Sequence, residues 1–217
     1  MSRVLQNVFL IAIVAGCRPD AGTPNYPGAD PWDPVADDPD FQQGTDPWVE
    51  GEARLSMGIF YEGGASEVVP VDEVTSHFYI YETTFSMGVT DDCVEGVVAD
   101  ALATSGGPWW GGGVHWDAAG DLSSWTTLHI ALKTSSETMA GWDLGMTGGG
   151  TEGRVSVADA GLVADGEWHD LWISLDEYAL AGVDLTAVTV PLLLVGEGGV
   201  DGDTVLIDDF YFTAEAL

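Results

Sequence analysis

The side chains able to do chemistry in this sequence are mostly carboxylates and tryptophans. Of 217 residues, 36 are Asp or Glu and 5 are Lys or Arg, while 9 are Trp. Carboxylates offer hard oxygen ligands to a cation such as calcium. Indole faces stack on the apolar faces of pyranose rings, and neighbouring polar groups take the hydroxyls. Two places combine aromatic faces with polar groups. One is the glycine-rich run 106–113, holding Trp109 and Trp110 and leading into His115-Trp116. The other is a face bearing His129, Lys133, Asp170 and Trp172, because the segments 128–133 and 168–175 alternate apolar and polar residues. Trp109 and Trp110 read either as a platform offered to a ligand or as a plug folded back on the domain edge. Trp116, Trp125 and Trp142 are assigned to the core. Tyr79 and Tyr81 share a face with His77, and whether that face points in or out stays open.

Catalysis finds little support. No serine sits in a nucleophile elbow, no glycine-rich loop precedes a helix, and the four histidines lack zinc-ligand spacing. Acid pairs are too common in so acidic a chain to single out a glycosidase pair. Cys93 lies in Asp91-Asp92-Cys93-Val94-Glu95, where neighbouring acids oppose a thiolate. The expectation is a protein that is not an enzyme.

A net charge of -31 sets the field in which any partner arrives. It repels nucleic acid and anionic headgroups, so neither is expected as a partner. The charge itself has two readings: solubility, including adaptation to a salty habitat, or calcium held by acidic loops of an exported protein.

The elements that would carry these residues begin after an export segment. Arg3 precedes the apolar run 8–16, too short for a membrane-spanning helix and laid out like a secretory signal peptide. Val14-Ala15-Gly16-Cys17 resembles the bacterial lipobox, which implies cleavage after residue 16 and lipid on Cys17. Arg18 is not the aspartate that resembles an inner-membrane retention signal, so the expected address is the cell envelope, at the outer membrane. With Cys17 acylated, Cys93 has no partner for a disulfide. Residues 17–50 are rich in Pro, Asp and Gly and read as an extended tether. Its two Asp-Pro-Trp copies, at 30–32 and 46–48, are either a docking motif or tryptophans resting on the domain edge.

Residues 51–217 change character to short apolar runs between Gly and Asp clusters. Strands are predicted over 55–61, 77–85, 112–116, 128–133, 142–146, 154–157, 168–175, 188–195 and 204–213. The only hint of a helix is a turn over 97–103. Nine short strands with turn signals between them predict an all-β, antiparallel β-sandwich.

Four stretches in order carry a resemblance. They are Phe60-Tyr61-Glu62-Gly63-Gly64, then Asp121-Leu122-Ser123-Ser124-Trp125 running into 126–133, then Asp165-Gly166-Glu167-Trp168 running into 169–175, and Ile207-Asp208-Asp209-Phe210-Tyr211-Phe212. Together they resemble the galactose-binding-like jelly roll of non-catalytic carbohydrate-binding modules, with Ser174 where the pattern has proline. The resemblance implies a glycan as partner. It also implies one structural calcium ion held by Glu62, Asp208 and Asp209, against the plainer alternative that one aspartate caps a turn and the other is solvated. The other function kept open is an envelope lipoprotein that has lost sugar binding and docks another envelope protein.

Overall fold

The computed structural model describes residues 51–214. The export segment, Cys17 and the 17–50 tether lie outside the described residues. Twelve strands form two sheets: β1 (Arg54–Ser56), β2 (Glu67–Val68), β3 (Ser76–Ile80), β4 (Phe85–Thr90), β5 (Ala99–Thr104), β6 (Trp109–Trp116), β7 (Thr127–Lys133), β8 (Trp142–Gly148), β9 (Thr151–Ser156), β10 (Trp168–Ser174), β11 (Val188–Glu197) and β12 (Thr204–Thr213). A single turn-and-a-half of helix, α1 (Leu175–Leu180), follows β10. The larger sheet runs β10-β7-β12-β1-β2, with β5 on β12 beside β1, and β4 on β5. The smaller runs β3-β6-β11-β8-β9. All pairings are antiparallel except β1 with β2. The fold is a β-sandwich of the jelly-roll type.

Alternation explains which side chains meet between the sheets. Leu128, Ile130 and Leu132 of β7 and Leu171 and Ile173 of β10 are buried against Val114, Leu144, Met146, Leu192 and Leu194 of the smaller sheet. β12 changes phase midway. Val205 and Ile207 point inward, and so do Phe210 and Phe212. The odd step is a β-bulge: between the pairs Asp208↔Ala131 and Tyr211↔His129, β12 has one residue more than β7. Asp209 sits there with φ +53°, in the left-handed region. The bulge turns Asp208, Asp209 and Tyr211 to the outer side of the larger sheet.

Two local expectations are corrected. Residues 99–104 form β5, not a helical turn, because pairing with β12 and β4 on both edges outweighs local propensity. The glycine-rich run is strand for longer than expected: β6 begins at Trp109, ahead of the predicted 112–116, and Gly111, Gly112 and Gly113 lie mid-strand between β3 and β11. A Cβ on Gly113 would lie 2.3 Å from the Leu192 carbonyl oxygen, and one on Gly112 2.5 Å from that of Tyr79, so neighbouring backbones approach too closely for a side chain. Ser174, which stands where the resembled pattern has proline, accepts the Asp176 amide with its hydroxyl and caps α1.

Candidate functional site

The outer surface of the smaller sheet is an aromatic lane beside a trough of glycines that neighbouring side chains fill. Residues directly opposite one another across the sheet are Tyr79, Gly113, Leu193, Gly145 and Arg154. Four inter-strand gaps of about 4.8 Å make this row roughly 19 Å long. Leu193 lies flat in the glycine trough: a Cβ on Gly145 would meet its Cδ2 at 2.9 Å. Next along the strands, Val195 pairs with Gly111 and Asp143, and Asp143 with Ser156. Tyr81 and Trp109 border Gly111, their ring carbons 3.3 and 3.2 Å from where its Cβ would stand.

The rings on the β3 side support one another. His77 stacks on Tyr79 at 5.5 Å, and His115 meets Tyr79 edge-on at 5.2 Å and Tyr81 at 5.8 Å. Tyr81 Oη lies 2.5 Å from His115 Nε2. Burial, with His77 nearby, lowers the His115 pKa, so its neutral ring can accept the phenolic proton. Burial and Glu152 push the Tyr81 hydroxyl up to about 12, keeping that proton in place. At the end of the lane, Glu73 and Asp117 flank His77 at 3.6 and 3.3 Å. Across the glycines, Arg154 Nε donates to Glu152 at 2.6 Å. The arrangement offers half-buried rings for stacking, an apolar floor, and charged donors and acceptors at the rim.

Sequence reasoning brought part of this together. Trp109 belongs to the lane. Trp110 does not: strand alternation turns it inward, 1% exposed, onto Gly196, Phe85 and Trp142. Tyr79 and Tyr81 prove to face outward, since Phe78 takes the inward position of β3. Trp125 and Trp142 are in the core and Trp116 packs against it. Asp143, Glu152, Arg154 and Leu193 were missed. The signal that could have found them is the glycine at every flanking position of Leu193.

The face bearing His129, Lys133, Asp170 and Trp172 is largely covered. His129 is fully buried beneath Trp172 and Tyr211, with ring centroids 4.2 and 4.5 Å away. Its Nδ1 stands 3.1 Å from Asp209 Oδ2. Asp170 is half-buried. Lys133 is held by Asp92 at 2.8 Å, and Asp92 also accepts the Trp168 indole proton at 3.0 Å. Only Trp172 stands clear, 42% exposed.

Asp92 belongs to segment 91–98, which is held by carboxylates. Asp208 Oδ2 accepts the amides of Val94 and Glu95 at 2.8 and 3.0 Å. Glu62 Oε2 accepts those of Val97 and Val98 at 2.5 and 3.1 Å, and Glu95 Oε2 accepts the Glu62 amide at 2.7 Å. Glu62, Asp208 and Asp209, expected around calcium, each have partners within the protein. Two hold amides of one segment, and Asp209 faces His129. Among the described residues no three His, Cys, Asp or Glu side chains converge as a metal-ligand set. Burial, then Asp209, push the Glu95 carboxyl up to about 8, and burial with Glu95 raises Asp208 well above the carboxylate range. Burial, then Asp208, Glu62, Glu95 and Asp92, push the Cys93 thiol up to about 12, so it is protonated at neutral pH.

No protein-family model matches this sequence, and no curated protein matches it. Solved structures do. A family 30 carbohydrate-binding module of a cellulosomal cellulase of Clostridium thermocellum superposes with a TM-score of 0.54 at 17% identity, covering 65% of this chain and 92% of that one. A second family 30 carbohydrate-binding module gives 0.52 at 16% identity, covering 62% of this chain and 79% of that one. At these identities the likeness is one of fold: the chain has a carbohydrate-binding-module-like β-sandwich.

Proposed function

We propose that this chain is a non-catalytic glycan-binding lipoprotein, anchored in the cell envelope through Cys17, that lays a neutral polysaccharide across the outer face of its smaller sheet. One observation carries the reading: half-buried Tyr79, Tyr81 and Trp109 stand beside a low floor in which Gly111, Gly113 and Gly145, themselves buried, let Leu193 and the ring edges lie close to the sheet. Rings fixed by their neighbours lose little freedom when a sugar stacks on them, and the glycines keep the floor beside those rings low and apolar. The acidic rim, with Glu73, Asp117, Asp143 and Glu152, disfavours uronic or sulfated glycans. The likeness of fold to carbohydrate-binding modules supports the same reading without naming a sugar.

Affinity electrophoresis of the full chain against neutral glucans, xylans, mannans and galactans, with polygalacturonate as the anionic control, tests this. Retardation by a neutral class is expected. Joint Tyr79→Ala and Tyr81→Ala replacement should weaken it about tenfold or more, since two stacking contacts at about 1 kcal/mol each are lost. Unchanged affinity in a folded double variant would refute the site. The anchor is tested by labelling with a clickable fatty acid in a bacterial host, where Cys17→Ser should abolish incorporation.

A further inference from the structure

We propose that the chain carries a second saccharide site, on the opposite edge of the sandwich from the aromatic lane, with Trp172 as its stacking platform. The inference rests on the glycan-binding reading and adds a second place of contact, which shares only Arg154 with the far end of the row beside the lane. β9 ends the smaller sheet and β10 ends the larger one. Between them lies an open cavity of about 440 Å³, lined by Arg154, Ser156, Asp159, Trp172, Ser174 and Glu177 among others. That volume lies in the range of small-ligand sites.

Its chemistry is that of a sugar site. Trp172, at 42%, is the one aromatic among the large hydrophobic side chains exposed in the described residues. An exposed tryptophan on an edge strand usually lies loose on its own sheet, but this ring is fixed from below. It rests on His129 at 4.2 Å, and His129 is itself fully buried between Tyr211 and Asp209. Asp209 reaches His129 only because the bulge holds it at φ +53°, a conformation that costs a non-glycine residue free energy and persists where the surroundings impose it. A rigid indole face keeps its orientation without a ligand, so stacking costs little conformational entropy. The same cavity is lined by a guanidinium, two carboxylates and two hydroxyls, groups that can donate to and accept from sugar hydroxyls. Their charges, one positive and two negative, disfavour an anionic sugar and suit an uncharged hexose or pentose.

The experiment is two-dimensional NMR of the full chain with ¹⁵N-labelled indoles and amides. It is titrated with short neutral oligosaccharides of glucose, xylose, mannose and galactose, and with oligogalacturonate as control. The Trp172 indole signal is identified by its loss in Trp172→Phe. A saturable shift of that signal with a neutral oligosaccharide is expected, following a different binding curve from the Gly111 and Gly113 amides of the lane. Trp172→Ala should abolish the shift of the neighbouring Ile173 and Ser174 amides, which line the same cavity, and leave the second curve. Asp159→Ala, at an exposed position away from the lane, should weaken the first about tenfold while the spectrum stays that of a folded chain. If a neutral oligosaccharide moves the lane amides while the Trp172 signal is silent, the second site is wrong and the glycan-binding reading stands. If no oligosaccharide moves either set, both fall.

Discussion

Replacing Glu95 by Gln is expected to stabilise the folded chain above neutral pH and to do little at pH 5. Glu95 is 8% exposed, and burial with the charges of Asp209 and Glu62 moves its carboxyl from an ordinary 4.5 to about 8. The folded state therefore holds a proton that the unfolded state releases. Its contribution is fully present below 4.5 and is lost as pH rises through 8. At 1.36 kcal/mol per decade the displacement is worth about 5 kcal/mol as a ceiling. Glutamine still buries a polar amide, but its oxygen can go on accepting the Glu62 amide, so roughly 2 kcal/mol should survive. For a domain of this size that is about 4–8 °C in Tm. The assay is thermal unfolding followed by near-ultraviolet circular dichroism at pH 5 and pH 8.5, in chelator-treated buffer so that no adventitious cation neutralises the cluster. A variant that is less stable than the parent at pH 8.5, or that gains equally at both pH values, would refute the argument.

Two further expectations follow from the strands. Gly113→Ala would place a methyl group 2.3 Å from the Leu192 carbonyl, between two paired neighbours, and should lower stability by more than about 2 kcal/mol in urea unfolding. Trp110→Ala should cost about 3–5 kcal/mol by opening a cavity beside Trp142 and Phe85, whereas Trp109→Ala, on the lane, should cost under about 1 kcal/mol while weakening glycan retardation. If the two tryptophans exchanged these behaviours, the assignment of inner and outer positions in β6 would be wrong.

The sandwich was legible because the strands that build its core alternate cleanly. Leu128, Ile130 and Leu132 point one way in the sequence and do so in the structure. The closing run Val205–Phe212 was also recognisable, although its bulge was not: nothing local in Asp208-Asp209 says that one of them is extra. β6 was harder. Three consecutive glycines carry no side-chain pattern, so the sequence predicts that strand only over 112–116 and leaves out its first part, Trp109 to Gly111. The exposure of the larger sheet was beyond local reasoning altogether. Whether His129 meets solvent depends on Trp172 and on the packing around it. The segment over the neighbouring face is fixed by Asp208 gripping the amides of Val94 and Glu95, more than a hundred residues away in sequence. A sequence can assign a residue to a face, but what lies over that face is decided by contacts of this length.

The pairing of β1 with β12 has a mechanical consequence. Arg54 stands opposite Thr213, so the chain enters and leaves the described fold at neighbouring points on one rim, and β1 is three residues long. A pull applied between those two points would open the ladder like a zipper, one bond pair after another, at low force. It would not shear all the bonds together. A pull on the entry point alone, balanced by a sugar chain held on the smaller sheet, takes a different route. The force must then pass from β1 through β12 and the packed core before reaching the ligand, so the first loss under tension is expected at the glycan contact or at β1, with the remainder of the sandwich intact.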